Sequence, residues 1–141
     1  MSENATVEQM QMPKHGEFCW TEIVTKNTDD SAKFYSEIFS WEIKQSTATG
    51  EKVKYLEFGL PGNYPAGGIF ELTEEMCGEG KQIPPPHFMN YIAVDDVDAT
   101  ASQAFDLGGK IVVPPTDIPN VGRFCQIQDP TGATLSIITL G

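Results

Sequence analysis

The chain repeats its own pattern once. A strand, a capped helix and three further short strands run from about residue 16 to about 72, and the same order returns from about 89 to about 140. A period of about 70 residues within a chain of 141 is an internal duplication. In the first copy Phe18–Val24 reads as a strand with Trp20, Glu22 and Val24 on one face and Cys19, Thr21 and Ile23 on the other. Thr28-Asp29-Asp30 supplies a helix start with acids in the first turn. The pairs Phe34/Ile38 and Tyr35/Phe39 at i, i+4 predict the buried stripe of that helix. Trp41–Gln45, Lys52–Phe58 and Ala66–Leu72 predict three more strands, Lys52–Phe58 placing Tyr55 and Glu57 opposite Leu56 and Phe58. Gly67-Gly68 marks a bend or a close backbone approach.

The second copy opens with a strand over Met89–Val94. Asp95 or Asp96 caps a helix with Val97, Ala101, Ala104, Phe105 and Leu107 as its apolar positions, and Gly108-Gly109 ends it. Lys110–Val113 predicts a strand, and Pro114-Pro115 with Pro119 predicts a loop. A hairpin closes the chain, with runs Phe124–Gln128 and Ala133–Ile138 around Asp129-Pro130-Thr131-Gly132. There Asp bonds local backbone, Pro presets φ and Gly accepts a positive φ. Leu135 and Ile137 face one way, and Thr134, Ser136 and Ile138 the other. Between the copies, residues 73–88 carry Gly78, Gly80 and Pro84-Pro85-Pro86, a linker composition. Residues 1–14 read as a loose tail, leaving one domain over 15–141.

Neither copy has enough residues to cover both faces of its own sheet. One helix covers one face, and the other face must curl around a ligand or around its twin. The expected architecture is an α+β fold: two tandem βαβββ modules forming curled mixed sheets around a concave cavity, a place where small molecules bind.

Charge narrows the partners. The net charge is −11 and the isoelectric point near 4.4, so neither nucleic acid nor an anionic membrane is an expected partner. Cys19, Cys77 and Cys125 lack the number and spacing of a disulfide framework or a zinc motif. The opening residues show no apolar run and no basic start, and no stretch reaches membrane-spanning length, so a cytoplasmic location is expected.

Several motifs in this order resemble one superfamily, the vicinal oxygen chelate proteins (glyoxalase, bleomycin-resistance and extradiol dioxygenase). They are Phe34-Tyr35 with Phe39-Ser40-Trp41, Gly67-Gly68-Ile69, Tyr91 to Ala99, Leu107-Gly108-Gly109, Gly122-Arg123 and Asp129 to Ala133. The resemblance covers nearly everything from Gly16 to Ile138 and is nearest to the single-domain glyoxalase-like proteins. It implies two βαβββ modules, often a homodimer, and in many members one divalent ion held by inward His, Gln or Glu side chains. Counted from the matching motifs, the ligand positions fall on Trp20, Glu71, Met89 and Ser136. Trp cannot ligate, Met is too soft for such an ion, and neutral Ser is a poor ligand. Only Glu71 serves, so no metal is expected; a nonstandard divalent ion is the disfavoured alternative.

By alternation the cavity face is Trp20, Glu22, Tyr55, Glu57, Glu71, Met89, Tyr91, Phe124, Gln126 and Ser136. Aromatic walls with a few polar groups suit a small hydrophobic or aromatic ligand, or else these side chains simply fill the space as core. Glu22 and Glu71 are the candidate bases if the protein is instead a lyase or isomerase. His15 and His87 read as exposed loop residues, and Arg123 as a structural ion pair, with Asp129 or a neighbouring copy as partner. A Ser-His-Asp set, a Cys-His pair and a phosphate loop are not supported.

Overall fold

A computed structural model describes residues 12–48, 54–78 and 80–141. The duplication is written in the topology. The first module comprises β1 (Phe18–Thr25), α1 (Thr28–Phe39), β2 (Glu42–Gln45), β3 (Tyr55–Gly59) and β4 (Gly67–Glu71). A short helix α2 (Glu74–Cys77) follows. The second module comprises β5 (His87–Ala93), α3 (Val97–Asp106), β6 (Lys110–Ile118), β7 (Gly122–Gln128) and β8 (Thr134–Leu140). The eight strands form one curled, unclosed sheet in the order β2-β3-β4-β1-β5-β8-β7-β6, so each module contributes four contiguous strands in matching order. β1 runs parallel to β4, and β5 parallel to β8, while β1 and β5 join the modules antiparallel at the centre. Among the described residues no helix is long and apolar enough to cross a membrane.

The helices cover one face. Val97 and Ala101 of α3 pack with Val94, Cys125, Ile127 and Ile137, and Ile23, Leu56, Phe58 and Ile69 pack with Ala32 and Tyr35 of α1. Asn27 caps α1, its side chain accepting from the Asp30 N–H at 2.9 Å. Thr28 is the first helical residue, so the capping position falls one residue before the predicted cluster.

Several expectations are corrected. Phe34, Ile38 and Phe39 are 58, 52 and 50% exposed, so the buried face of α1 centres on Thr28, Ala32 and Tyr35. Phe105 and Leu107 are likewise exposed, because α3 buries only the stripe through Val97, Ala101 and Ala104. The linker composition at 73–88 hides α2, capped by Thr73, and the start of β5 at His87. Strand β6 runs on through Pro114-Pro115. It is an edge strand whose pairing with β7 is interrupted by bulges between Ile111 and Thr116, where missing N–H groups cost nothing. Of the predicted strand from Lys52, residues 52 and 53 lie outside the described residues, as does 1–11 of the expected tail.

Candidate functional site

The face away from the helices carries the candidate site. Register places Trp20 opposite Tyr91 and Glu22 opposite Met89 across the central β1–β5 pair. Tyr91 stands opposite Ser136, which in turn faces Gln126, and Phe124 faces Ile138. From the other side, Tyr55 lies opposite Phe70 and Glu57 opposite Gly68. Nine of the ten residues expected on this face are therefore together: Trp20, Glu22, Tyr55, Glu57, Met89, Tyr91, Phe124, Gln126 and Ser136.

Glu71 is the correction. It follows Ile69 by two residues and pairs with Thr25, so it shares the helix-side face with the buried Ile69 and is itself exposed. A one-residue error of phase in β4 exchanges the two faces. The residues that β4 turns to the concave side are Gly68 and Phe70. Phe70 stacks on Tyr55 with ring centres 5.9 Å apart.

Glu22 is the polar centre of the face. Tyr55 donates to its Oε2 at 2.8 Å and Tyr91 donates to its Oε1 at 3.0 Å. The Trp20 indole N–H donates in turn to the Tyr55 oxygen at 2.9 Å. Tyr55 belongs to β3, two strands away from β1, and reaches Glu22 by passing over β4 at Gly68. Burial pushes the Glu22 carboxyl above its ordinary value; the hydrogen bonds from Tyr55 and Tyr91 and the nearby His87 offset this only in part. Burial raises both tyrosines as well, reinforced by the negative charge of Glu22, so both phenols stay protonated donors.

The second-module half of the face is filled. Met89, Tyr91 and Ile138 are buried there with Trp20, Ile118, Val121 and Phe124 packed against them. Ser136 is wholly buried, and its Oγ has no hydrogen-bond partner. Towards the first module, Trp20, Tyr55, Glu57 and Phe70 remain half-buried, as does Gln126 on β7.

His87 begins β5 and is half-buried, with Nδ1 2.7 Å from the Pro85 carbonyl oxygen. It is not a loop residue, and the period-two pattern extended back from Tyr91 and Met89 reaches it. Phe70 and Gly68 were equally within reach of a correctly phased β4. His15 stays near the surface and accepts from the Asp95 N–H at 3.0 Å. Arg123 makes the structural pairing expected of it, but with Asp98 and Asp117, at 3.1 and 2.9 Å. Asp129 serves its own turn, accepting from the Thr131 and Ala133 N–H groups at 2.8 and 3.1 Å; these bonds and that of the Thr131 hydroxyl hold its carboxyl below the usual range. A separate cleft of about 710 Å³ opens beside the start of α3, lined by Asp98, Asp117, Val121 and Arg123. Its one guanidinium is already occupied by those two aspartates.

Of the four ligand positions expected from the motifs, Trp20, Met89 and Ser136 lie on the concave face and Glu71 on the opposite one. Among the described residues no three His, Cys, Asp or Glu side chains converge as a metal site.

A duplicated βαβββ fold with its polar centre on the concave face defines a glyoxalase-like protein. Residues 18–137 match the family model of the Glyoxalase/Bleomycin resistance protein/Dioxygenase superfamily, and the chain belongs to that superfamily. It is 35% identical over 124 residues to CFP32 of Mycobacterium tuberculosis, which carries a glyoxylase name. That match covers 87% of the chain and 44% of the relative, so the chain spans less than half of that protein's length. A glyoxylase-like domain-containing protein of Didymella fabae is 32% identical over 132 residues, covering 91% of the chain and 97% of the relative. Among solved structures, methylmalonyl-CoA epimerase from Mycobacterium tuberculosis superposes with a TM-score of 0.60 over 96% of each chain at 14% identity, a likeness of fold.

Proposed function

We propose that the protein binds a small hydrophobic or aromatic molecule on its concave face, without the divalent ion that many family members hold there. One observation carries this reading. A carboxyl group, Glu22, is fixed by two phenols at the floor of a half-open aromatic wall. The rings of Trp20, Tyr55, Phe70 and Phe124 offer stacking area, and Glu22, Glu57 and Gln126 offer orienting polar contacts. A thermal-shift screen of aromatic compounds tests it, because a ligand of the native state raises the melting temperature by mass action. Stabilisation by an aromatic ligand that Trp20→Ala abolishes supports the reading. Stoichiometric zinc, nickel, manganese or iron in protein purified without chelator overturns its metal-free part.

The alternative is a lyase or isomerase with a cavity carboxylate as base. Glu71 lies on the wrong face for this, so of the two candidate bases the role falls to Glu22. Its raised proton affinity suits a base, and each oxygen keeps a lone pair beyond the tyrosine bond. Turnover of a carbonyl substrate that Glu22→Gln abolishes would favour this second reading.

For assembly we read α1 as the docking face for a second copy. Phe34 and Ile38 form an exposed stripe flanked by Lys33 and Glu37, and Phe88 stands beside Tyr35 at 6.2 Å between ring centres. The stripe is self-complementary: two α1 helices packed antiparallel set Phe34 of each on Ile38 of the other, with Lys33 beside Glu37.

A further inference from the structure

We propose that the molecule bound on the concave face is an organic cation, an ammonium group carried on an aromatic or apolar body, with the charge seated against Glu22. This rests on the binding reading above and adds the class of ligand.

The charge pattern of the face comes first. Glu22 and Glu57 stand on it together; Lys44 lies opposite Glu57 across the β2–β3 pair, and among the described residues no lysine or arginine pairs with Glu22. Arg123 and Lys54 lie towards the helix side, where Arg123 is taken up by Asp98 and Asp117 and Lys54 by Asp29. Both oxygens of Glu22 receive hydrogen bonds, yet both donors are neutral phenols. Hydrogen bonds from neutral groups satisfy lone pairs without cancelling charge, and an enclosed carboxylate without a counter-ion is costly. His87 is the nearest imidazole, and its Nδ1 is engaged with the Pro85 carbonyl. The titratable groups on this face near Glu22 are thus Glu57, Tyr55, Tyr91 and His87, while Glu42 and Lys44 of β2 and Lys110 of β6 share the face on the outer strands.

The rings come second. Trp20, Tyr55 and Tyr91 surround Glu22 through their hydrogen bonds, and Phe124 continues the wall 6.4 Å from Tyr91. Aromatic faces around a carboxylate attract organic cations through the ring quadrupole while the carboxylate supplies the opposite charge.

Three matched probes decide the question: a naphthylmethyl trimethylammonium ion, its uncharged tert-butyl isostere and the corresponding naphthyl carboxylate. Affinities are measured by calorimetry on the full chain at pH 8 and pH 5. The ammonium ion is expected to bind at least tenfold tighter than the isostere at pH 8, with an advantage that shrinks as pH falls and Glu22 takes up a proton. Glu22→Gln is expected to equalise the two at both pH values. The pH series on the unaltered protein supplies the same comparison if the variant folds poorly. Equal or tighter binding of the uncharged isostere overturns the cation and leaves the binding site standing. Preference for the carboxylate does the same. Absence of binding by all three overturns both the cation and the small-molecule reading.

Discussion

Tyr55 lies directly over Gly68. A Cβ built on Gly68 would fall 2.2 Å from the Tyr55 ring, far inside contact distance. The missing side chain is what lets a residue on β3 cross β4 and donate to Glu22 on β1. Gly68→Ala therefore acts on the site through Tyr55. It is expected to cost about 1–3 kcal/mol by overpacking and to break the Tyr55–Glu22 bond. Urea denaturation of the double-mutant cycle with Tyr55→Ala checks this. With the ring gone most of the cost of Gly68→Ala should vanish, and simple additivity would separate the two residues.

Glu22 gives stability a pH dependence of known sign. Its folded-state value lies above its ordinary value of 4.5, so the native protein holds this proton more tightly than the unfolded chain. The contribution is fully present below the unfolded value and is lost as pH rises through the folded one. Glu22→Gln cannot titrate. The stability of the unaltered protein relative to this variant is therefore expected to fall as pH rises across that window. Denaturation midpoints of both proteins at several pH values measure the difference, and a rise would contradict the buried position of Glu22.

The duplication and the hairpin around Asp129-Pro130 were legible because they depend on local chemistry: caps, turns and period-two alternation. Concave residues on β1, β3, β5, β7 and β8 followed from alternation within each strand. Strand β4 failed because its two glycines carry no face preference, which left Glu71 to set the phase. The helix stripes failed for another reason. Phe34, Ile38 and Phe105 are apolar but exposed, and nothing in one helix tells a core stripe from an exposed one. Contacts that depend on strand order stayed invisible. The reach of Tyr55 over β4 needs β4 to lie between β3 and β1.

Asn27 isolates fold stability from the site. Its side chain caps α1 through the Asp30 N–H, on the sheet face opposite Glu22. Asn27→Ala is expected to lower stability by about 1 kcal/mol. Ligand affinity of the folded protein should stay unchanged. Urea denaturation and calorimetry on the same preparation test both halves, and a large loss of affinity would tie α1 to the concave face.

The exposed stripe of α1 makes the assembly testable without disturbing the core. Phe34 is 58% exposed and Ile38 52%, so replacing them removes little that holds the single chain together. A charge placed at Phe34 would meet Ile38 of the second copy and, by the two-fold symmetry, would be buried twice in one interface. Phe34→Glu is therefore expected to convert a dimer to a monomer with the unfolding midpoint of the monomer changed little. Light scattering coupled to size exclusion measures the mass at several concentrations. The reversed pair Lys33→Glu with Glu37→Lys keeps the cross-helix match and should remain dimeric. Lys33→Glu alone sets like charges against each other and should weaken the dimer. A monomeric unaltered protein, or a dimer indifferent to Phe34→Glu, would remove α1 as the interface.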